Sequence, residues 1–216
     1  MNSRIENLQP VPIKRSVVKE LTYNAFKRFF DIFVSLGLLV FAVPLMIFLS
    51  LIIRCNSSGP AIYCQQRLTA NRRIFTMFKF RTMVEDAEVS TGATWAAEND
   101  PRITRLGRFM RKTRLDELPQ LINVLIGDMS LIGPRPERPE FAKMLQSQFP
   151  HFKERYQVPA GLSGLAQISS GYADSIESYE TKLEHDLEYV SKRSIALDMK
   201  IAVKTIKTIL TGYGAR

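Results

Sequence analysis

Residues 32–53 read IFVSLGLLVFAVPLMIFLSLII, twenty-two residues without a charged side chain, and no other stretch narrows the fold so far. As one straight helix the run is roughly 33 Å long, enough to cross the hydrocarbon of a bilayer. A cleaved signal peptide fits poorly, because a long region precedes the run and no small-residue cleavage site follows it. Two features oppose a simple crossing. Lys14, Arg15, Lys19, Lys27 and Arg28 precede the run, and Arg54, Arg67, Arg72, Arg73, Lys79 and Arg81 follow it. Basic flanks favour the cytoplasm, and here both flanks qualify. Pro44 then divides the run into 32–43 and 44–53, each roughly 15–18 Å as helix, about half a bilayer. A helix that enters, breaks at Pro44 and returns keeps both flanks on one side, if protein rather than lipid satisfies the backbone at the break. The residues leave the spanning and re-entrant forms open. Asp31, at the mouth, reads as a helix-start residue or as a partner for Lys27 or Arg28.

The remainder is large enough for one domain with a real core, in a chain of 216 residues with a formal charge of +9. That excess suits nucleic acid, an anionic membrane surface or phosphorylated substrates. No nucleic-acid-binding motif is present. Cys55 and Cys64 are too few for a disulfide framework. His151 and His185 are too few for a zinc site, so a metal here would be a hard cation held by oxygen.

Residues 1–26 form a polar lead-in with an amphipathic piece over 17–26. "NSSGP" at 56–60 signals a loop. "AIYCQQR" and "RIFTMFKFRTM", separated by "LTAN", predict a β-hairpin. Alternation puts Phe75, Met77, Lys79, Arg81 and Met83 on one face, with two cations at its end suited either to a phosphate or to a solvated edge. Residues 84–100 read as a polar, acidic loop around Trp95. Helix is expected over 102–113, weakened by Gly107, and again from about Asp116, with Pro119 in its first turn and Gly127 as its stop. Arg135 stands between Pro134 and Pro136 on a stiff loop. Helices over about 175–190 and 194–210 close the chain. The last has Lys200, Lys204 and Lys207 on one side and Met199, Val203 and Ile206 on another, as in a core helix with a wet face or one in the membrane interface.

The arginines at 102, 105, 108, 111 and 114 lead into "RLDELP". Asp116 and Glu117 at the edge of this field read either as helix-capping acids paired with Arg111, Lys112 or Arg114, or as a nucleophile or metal ligand in a phosphate site. A carboxylate attacking a phosphate meets repulsion of about 5 kcal/mol, for unit charges near 3.5 Å at an effective dielectric of 20. Arginines and a divalent cation offset it, and Mg²⁺ is the natural candidate.

"KFRTM" (79–83), "DPRITRLGRFMRKTRLDELPQLINVLIGDMSLIGPRPE" (100–137) and "LDMKIAVKTIKTIL" (197–210) resemble the bacterial sugar transferases, the monotopic polyprenyl-phosphate sugar-1-phosphate transferases, in a compact form. The resemblance implies a re-entrant helix broken at Pro44. It implies that Asp116 and Glu117 are the catalytic dyad, with Mg²⁺ bound there. Asp116 would take the phosphosugar from a UDP-sugar, releasing UMP, and undecaprenyl phosphate would then accept it. Arg111 and Arg135 match phosphate-contacting arginines, Lys79 and Arg81 fall in the "KFRT" strand, and Lys27 and Arg28 match the basic pair at the membrane mouth. Relatives commonly carry serine where this chain has Val43, and proline and tryptophan where it has Ala160 and Leu165.

The expectation is thus an α+β, mostly helical, single membrane-associated catalytic domain with a re-entrant helix at 27–54, a small β-hairpin and amphipathic interfacial helices. The catalytic part is expected at 55–210 and a tail at 211–216. Expected partners are a UDP-sugar, with a hexose favoured, undecaprenyl phosphate and membrane lipid but no nucleic acid, with a homodimer as one allowed assembly. The expected location is the cytoplasmic face of a bacterial inner membrane. The competing readings are a basic lipid-binding module without catalysis, and a metal-dependent glycosyltransferase or lipid phosphatase using the same acids.

Overall fold

A computed structural model of the chain describes residues 16–89, 92–95, 100–170 and 176–211. The apolar run lies within one helix, α1, Val17–Asn56, which absorbs the amphipathic piece at 17–26 and passes through Pro44 without interruption. The two helices expected on either side of Pro44 are therefore one. Its inner face explains why. Asp31, Ser35, Leu39, Ala42, Leu49 and Ile53 are buried, and Met46 packs with them. Their spacing of three and four holds helical phase across the proline. Pro44 itself is exposed on the opposite side, together with Phe33, Val40, Phe41 and Phe48, and Phe41 is 82% exposed.

β1 (Ile62–Leu68) and β2 (Ile74–Phe80) form the antiparallel hairpin, with Ile62 opposite Phe80 and Leu68 opposite Ile74. Asn71 and Arg72 take positive φ in the turn between them. The alternation expected for β2 holds. Phe75 and Met77 are buried on one side, where they meet Val124, Met129 and Ala160. Phe80 faces the other way, onto Leu49 and Ile53 of α1 and onto Met110. The helix expected over 102–113 is α2, Arg105–Lys112, capped by Thr104, whose hydroxyl accepts from the Gly107 amide at 2.9 Å. Gly107 has a structural purpose here: a Cβ on it would lie 2.0 Å from the Thr82 carbonyl oxygen.

The helix expected from Asp116 begins later. Leu115–Glu117 is a separate 3-10 turn, and α3 spans Gln120–Ile126, ended by Gly127 at φ 94°. β3 (Ser130–Ile132) and β4 (Gly161–Ser163) form a two-residue parallel ladder. α5 (Leu165–Ser169), α6 (Ile176–Lys192) and α7 (Ile195–Thr211) share a core cluster with Ile132 of β3, while α4 (Pro139–Gln148) packs against β1. Ile201 of α7 packs on Ile132, Val158, Tyr189 and Val190.

Asn123 joins α3 to β2. Its side-chain oxygen accepts from the Phe78 amide at 3.0 Å and its nitrogen donates to the Thr76 carbonyl at 2.7 Å, so the amide stands in for a neighbouring strand. Asn123 is fully buried. Asn123→Ala strands two backbone groups away from water and should cost about 3 kcal/mol, read as a lower thermal midpoint in detergent.

The charges assigned to the membrane mouth have partners in the protein. Lys27 pairs with Asp198 of α7 at 2.9 Å. Arg28 donates to the carbonyls of Val124 and Leu125 at 2.6 and 2.7 Å, where the last turn of α3 leaves acceptors open. Asp31 is not a helix start, and Lys27 and Arg28 act on it through their charge, with no ion pair to either among the described residues. It is buried in mid-helix and accepts from the Leu131 amide at 3.0 Å.

Candidate active site

The acidic pair sits on the 3-10 turn because Arg114, immediately before it, adopts the left-handed conformation at φ 59°. The two side chains then meet different surroundings. Glu117 is held by Arg135, through a short contact to one oxygen and one of 3.4 Å to the other. Lys79 and Arg114 approach the same carboxylate at 3.8 and 3.9 Å. Asp116 is buried at 7% exposure, yet among the described residues its carboxylate has no hydrogen bond or ion pair. One acid is clamped and its neighbour is left free.

The electrostatics follow that division. Burial, then the charge of Glu117, raise Asp116 to about 6, against Lys79, Arg111 and Arg135, which lower it. Burial pushes Glu117 upward too, but Arg135 and Lys79 outweigh it and hold it at about 2. Lys79 falls to about 8 through burial and the Arg135 charge, with the two acids opposing. At neutral pH both carboxylates are ionised beneath a rim of cations.

That rim is assembled from distant segments. Thr82, at the end of "KFRT", receives α2 at two points: its carbonyl accepts from the Thr104 amide at 3.0 Å, and its hydroxyl from Arg111 Nε at 2.9 Å. Arg111 is thereby aimed into the cleft, while Arg105, Arg108 and Lys112 stay exposed on the outer side of α2 and Arg102 pairs with Asp100. The arginine run thus serves three purposes rather than one.

Arg135 is positioned through carbonyls, because its flanking prolines have no N–H to offer. The Pro134 carbonyl accepts from Gly161 N at 2.9 Å and that of Arg135 from Arg155 Nη2 at 2.7 Å. The Pro136 carbonyl accepts from Arg67 Nη1 at 3.1 Å, and that of Glu137 from Leu68 N at 3.0 Å. Four consecutive carbonyls are occupied.

Arg81 departs from expectation. β2 ends at Phe80, and beyond it the Arg81 guanidinium turns to the end of α1, donating to the Ser57 carbonyl at 2.8 Å and its hydroxyl at 2.9 Å. It also lines the cleft, where its Nε and Nη1 are buried with no hydrogen-bond partner among the described residues. The sequence did not single out Glu137, Tyr179, Lys182 or Arg67, which also line the cleft. Tyr179 and Lys182 donate to Glu137, which the charges of Lys182, Arg155 and Arg67 keep ionised against its burial. Only Glu137, next to the Pro-Arg-Pro loop, carried a local signal; Lys182 had none. The positions that differ from the family pattern lie away from the dyad. Ala160 is in the core, where its amide donates to Thr69 Oγ1 at 3.1 Å, and Leu165 packs beside Val190 and Ile201.

The cleft over the dyad is about 730 Å³, room for a nucleotide-sized ligand. Among the described residues no cluster of three His, Cys, Asp or Glu side chains exists. A cation at this site would be held by oxygens of Asp116 and Glu117, completing its shell with substrate and water. That donor set suits Mg²⁺.

A free carboxylate beside a clamped one, at the floor of a cationic cleft, is an arrangement suited to receiving phosphate groups. Residues 22–212 match the bacterial sugar transferase family model, and the chain belongs to that family. It is 41% identical over 99% of its length to UDP-N-acetylgalactosamine-undecaprenyl-phosphate N-acetylgalactosaminephosphotransferase of Aeromonas hydrophila. It is 40% identical over 84% of its length to undecaprenyl-phosphate glucose phosphotransferase of Komagataeibacter xylinus. It is 37% identical over 86% of its length to exopolysaccharide production protein PSS of Rhizobium leguminosarum. The chain spans 48% of the first, 35% of the second and 95% of the third.

Proposed function

We propose that the protein transfers a sugar 1-phosphate from a UDP-sugar to undecaprenyl phosphate, releasing UMP and leaving undecaprenyl-diphosphate-sugar, the first membrane step of exopolysaccharide or related glycoconjugate assembly. The observation that carries this reading is the free Asp116 carboxylate next to the Arg135-clamped Glu117. One Asp116 oxygen bonds to the phosphorus bearing the sugar, and the bond from that phosphorus to the bridging oxygen of UMP breaks. UMP leaves with the electron pair. A phosphate oxygen of undecaprenyl phosphate then bonds to the same phosphorus, and the bond to Asp116 breaks, restoring the carboxylate. Lys79, Arg111 and Arg135 stabilise the charge that develops on the transferring phosphate. Mg²⁺ held by Asp116 and Glu117 would add to that neutralisation.

The outer face of α1 is read as entering one leaflet from the cytoplasmic side of the inner membrane, with Pro44 at its deepest part. Its inner face supports this course. Leu131 meets Asp31 at the start of the apolar run, and Phe80 meets Ile53 at its end, so the catalytic domain accompanies the helix on both sides of Pro44. An exposed apolar stripe of this length marks an interaction surface.

The test is incubation with undecaprenyl phosphate and a panel of UDP-sugars that includes UDP-glucose, UDP-galactose and UDP-N-acetylgalactosamine. UMP is the expected nucleotide product. UDP would indicate sugar transfer, and inorganic phosphate a phosphatase; either overturns the reading.

The acid limb of kcat/KM for UMP release should fall at about pH 6, because protonation of Asp116 removes the attacking lone pair. A basic limb near pH 8 follows from loss of the Lys79 charge. Each limb reports the coupled site rather than one residue. Raising Mg²⁺ should move the acid limb downward, since a cation favours the ionised acid.

A further inference from the structure

Arg135 reaches Glu117 from a loop held through four consecutive carbonyls, and one of these anchors stands apart. Arg155 Nη2 donates to the Arg135 carbonyl at 2.7 Å and to Asp186 Oδ2 of α6 at 2.6 Å. Both Arg155 and Asp186 side chains are 1% exposed. The Arg155 guanidinium is further confined over the rings of Phe152 and Tyr156, 5.3 and 5.8 Å from their centroids. Glu137, Tyr179 and Lys182 complete the charged and titratable groups around it.

A buried ion pair is an expensive way to hold a loop, since well-packed apolar residues of similar volume often stabilise a fold as well or better. This one spends a hydrogen bond on the backbone oxygen of the very residue whose side chain clamps Glu117. We infer that Arg155, locked by Asp186, is a positioning residue for the reaction: it fixes the Arg135 backbone so that the Arg135 guanidinium stays on Glu117 and Asp116 stays free. This rests on the transferase reading. Displacing a positioned group by about 1 Å can cost up to about a hundredfold in rate, so loss of this anchor should be read in kcat rather than in KM.

The test is a double-mutant cycle with Arg135. The paired substitution R155M/D186L removes the ion pair without stranding a charge, and R155K is the conservative counterpart if the pair fails to fold. Each is measured for UMP release in the wild-type and the R135A background, with rates normalised to correctly folded protein. If Arg155 acts through Arg135, R155M/D186L lowers kcat by about tenfold or more in the wild-type background with KM for the UDP-sugar little changed. In the R135A background the same change costs less than about twofold. Equal losses in both backgrounds, or no loss of kcat in the wild-type background, would overturn the inference and leave Arg155 as scaffold. A wild-type chain that releases no UMP would instead overturn the transferase reading, so the two failures are distinguishable.

Discussion

Asp116→Asn should lower UMP release by about 10⁴-fold and abolish any labelled phosphosugar on the protein, because an amide supplies no nucleophilic oxygen of comparable strength. The loss would be chemical rather than structural. Burial lifts the Asp116 carboxyl to about 6 from its ordinary value, so at neutral pH its ionised form opposes folding. The sign follows from linkage: a raised acid destabilises the fold above that value, and the penalty lifts as pH falls through it. The neutral asparagine carries no such penalty, so the variant should unfold at a temperature equal to or above wild type. Trapping with a UDP-sugar labelled in the sugar-bearing phosphate, followed by peptide mapping, locates the adduct. Retention of more than about 1% of turnover, or an adduct on another residue, would remove Asp116 from its assigned role.

Gly161→Ala should be among the most damaging single methyl additions in the catalytic half. A Cβ there would lie 2.1 Å from the Gly133 nitrogen and 2.4 Å from its oxygen, and neither is the end of a flexible side chain. β3 and β4 would have to separate, breaking the bond from Gly161 N to the Pro134 carbonyl. The expected cost is about 3 kcal/mol, the upper end for overpacking, since backbone must move against backbone. Turnover of the surviving folded fraction should fall as well, because Pro134 immediately precedes Arg135. Thermal unfolding in detergent, with UMP release per folded molecule, checks both. An unchanged midpoint would show that the crossing is looser than its distances indicate.

The parts legible in the sequence were those written in local periods. The apolar run gave α1, and strict alternation gave the buried Phe75 and Met77 with Lys79 on the same face. A cationic field next to two acids marked Asp116 and Glu117, which line the cleft. Local rules then reached their limit. Alternation stops where the strand stops, which is why Arg81, one residue past β2, turns to Ser57. The helix expected from Asp116 was displaced by a left-handed residue that no periodicity reveals. Asp31 looked like a terminus because an acid in an apolar helix needs a partner, and that partner, the Leu131 amide, is a hundred residues away. Arg155 and Asp186 were invisible for the same reason. Each belongs to an ordinary polar stretch, and only the folded chain makes them a pair.

The left-handed turn at Arg114 also bears on how this protein would respond to artificial selection. A non-glycine residue at φ 59° costs about 1–2 kcal/mol, and glycine would remove that cost along with a cation 3.9 Å from Glu117. Libraries sorted for heat tolerance should therefore enrich glycine at 114, and libraries sorted for throughput should reject it. Durability and speed compete at this one site.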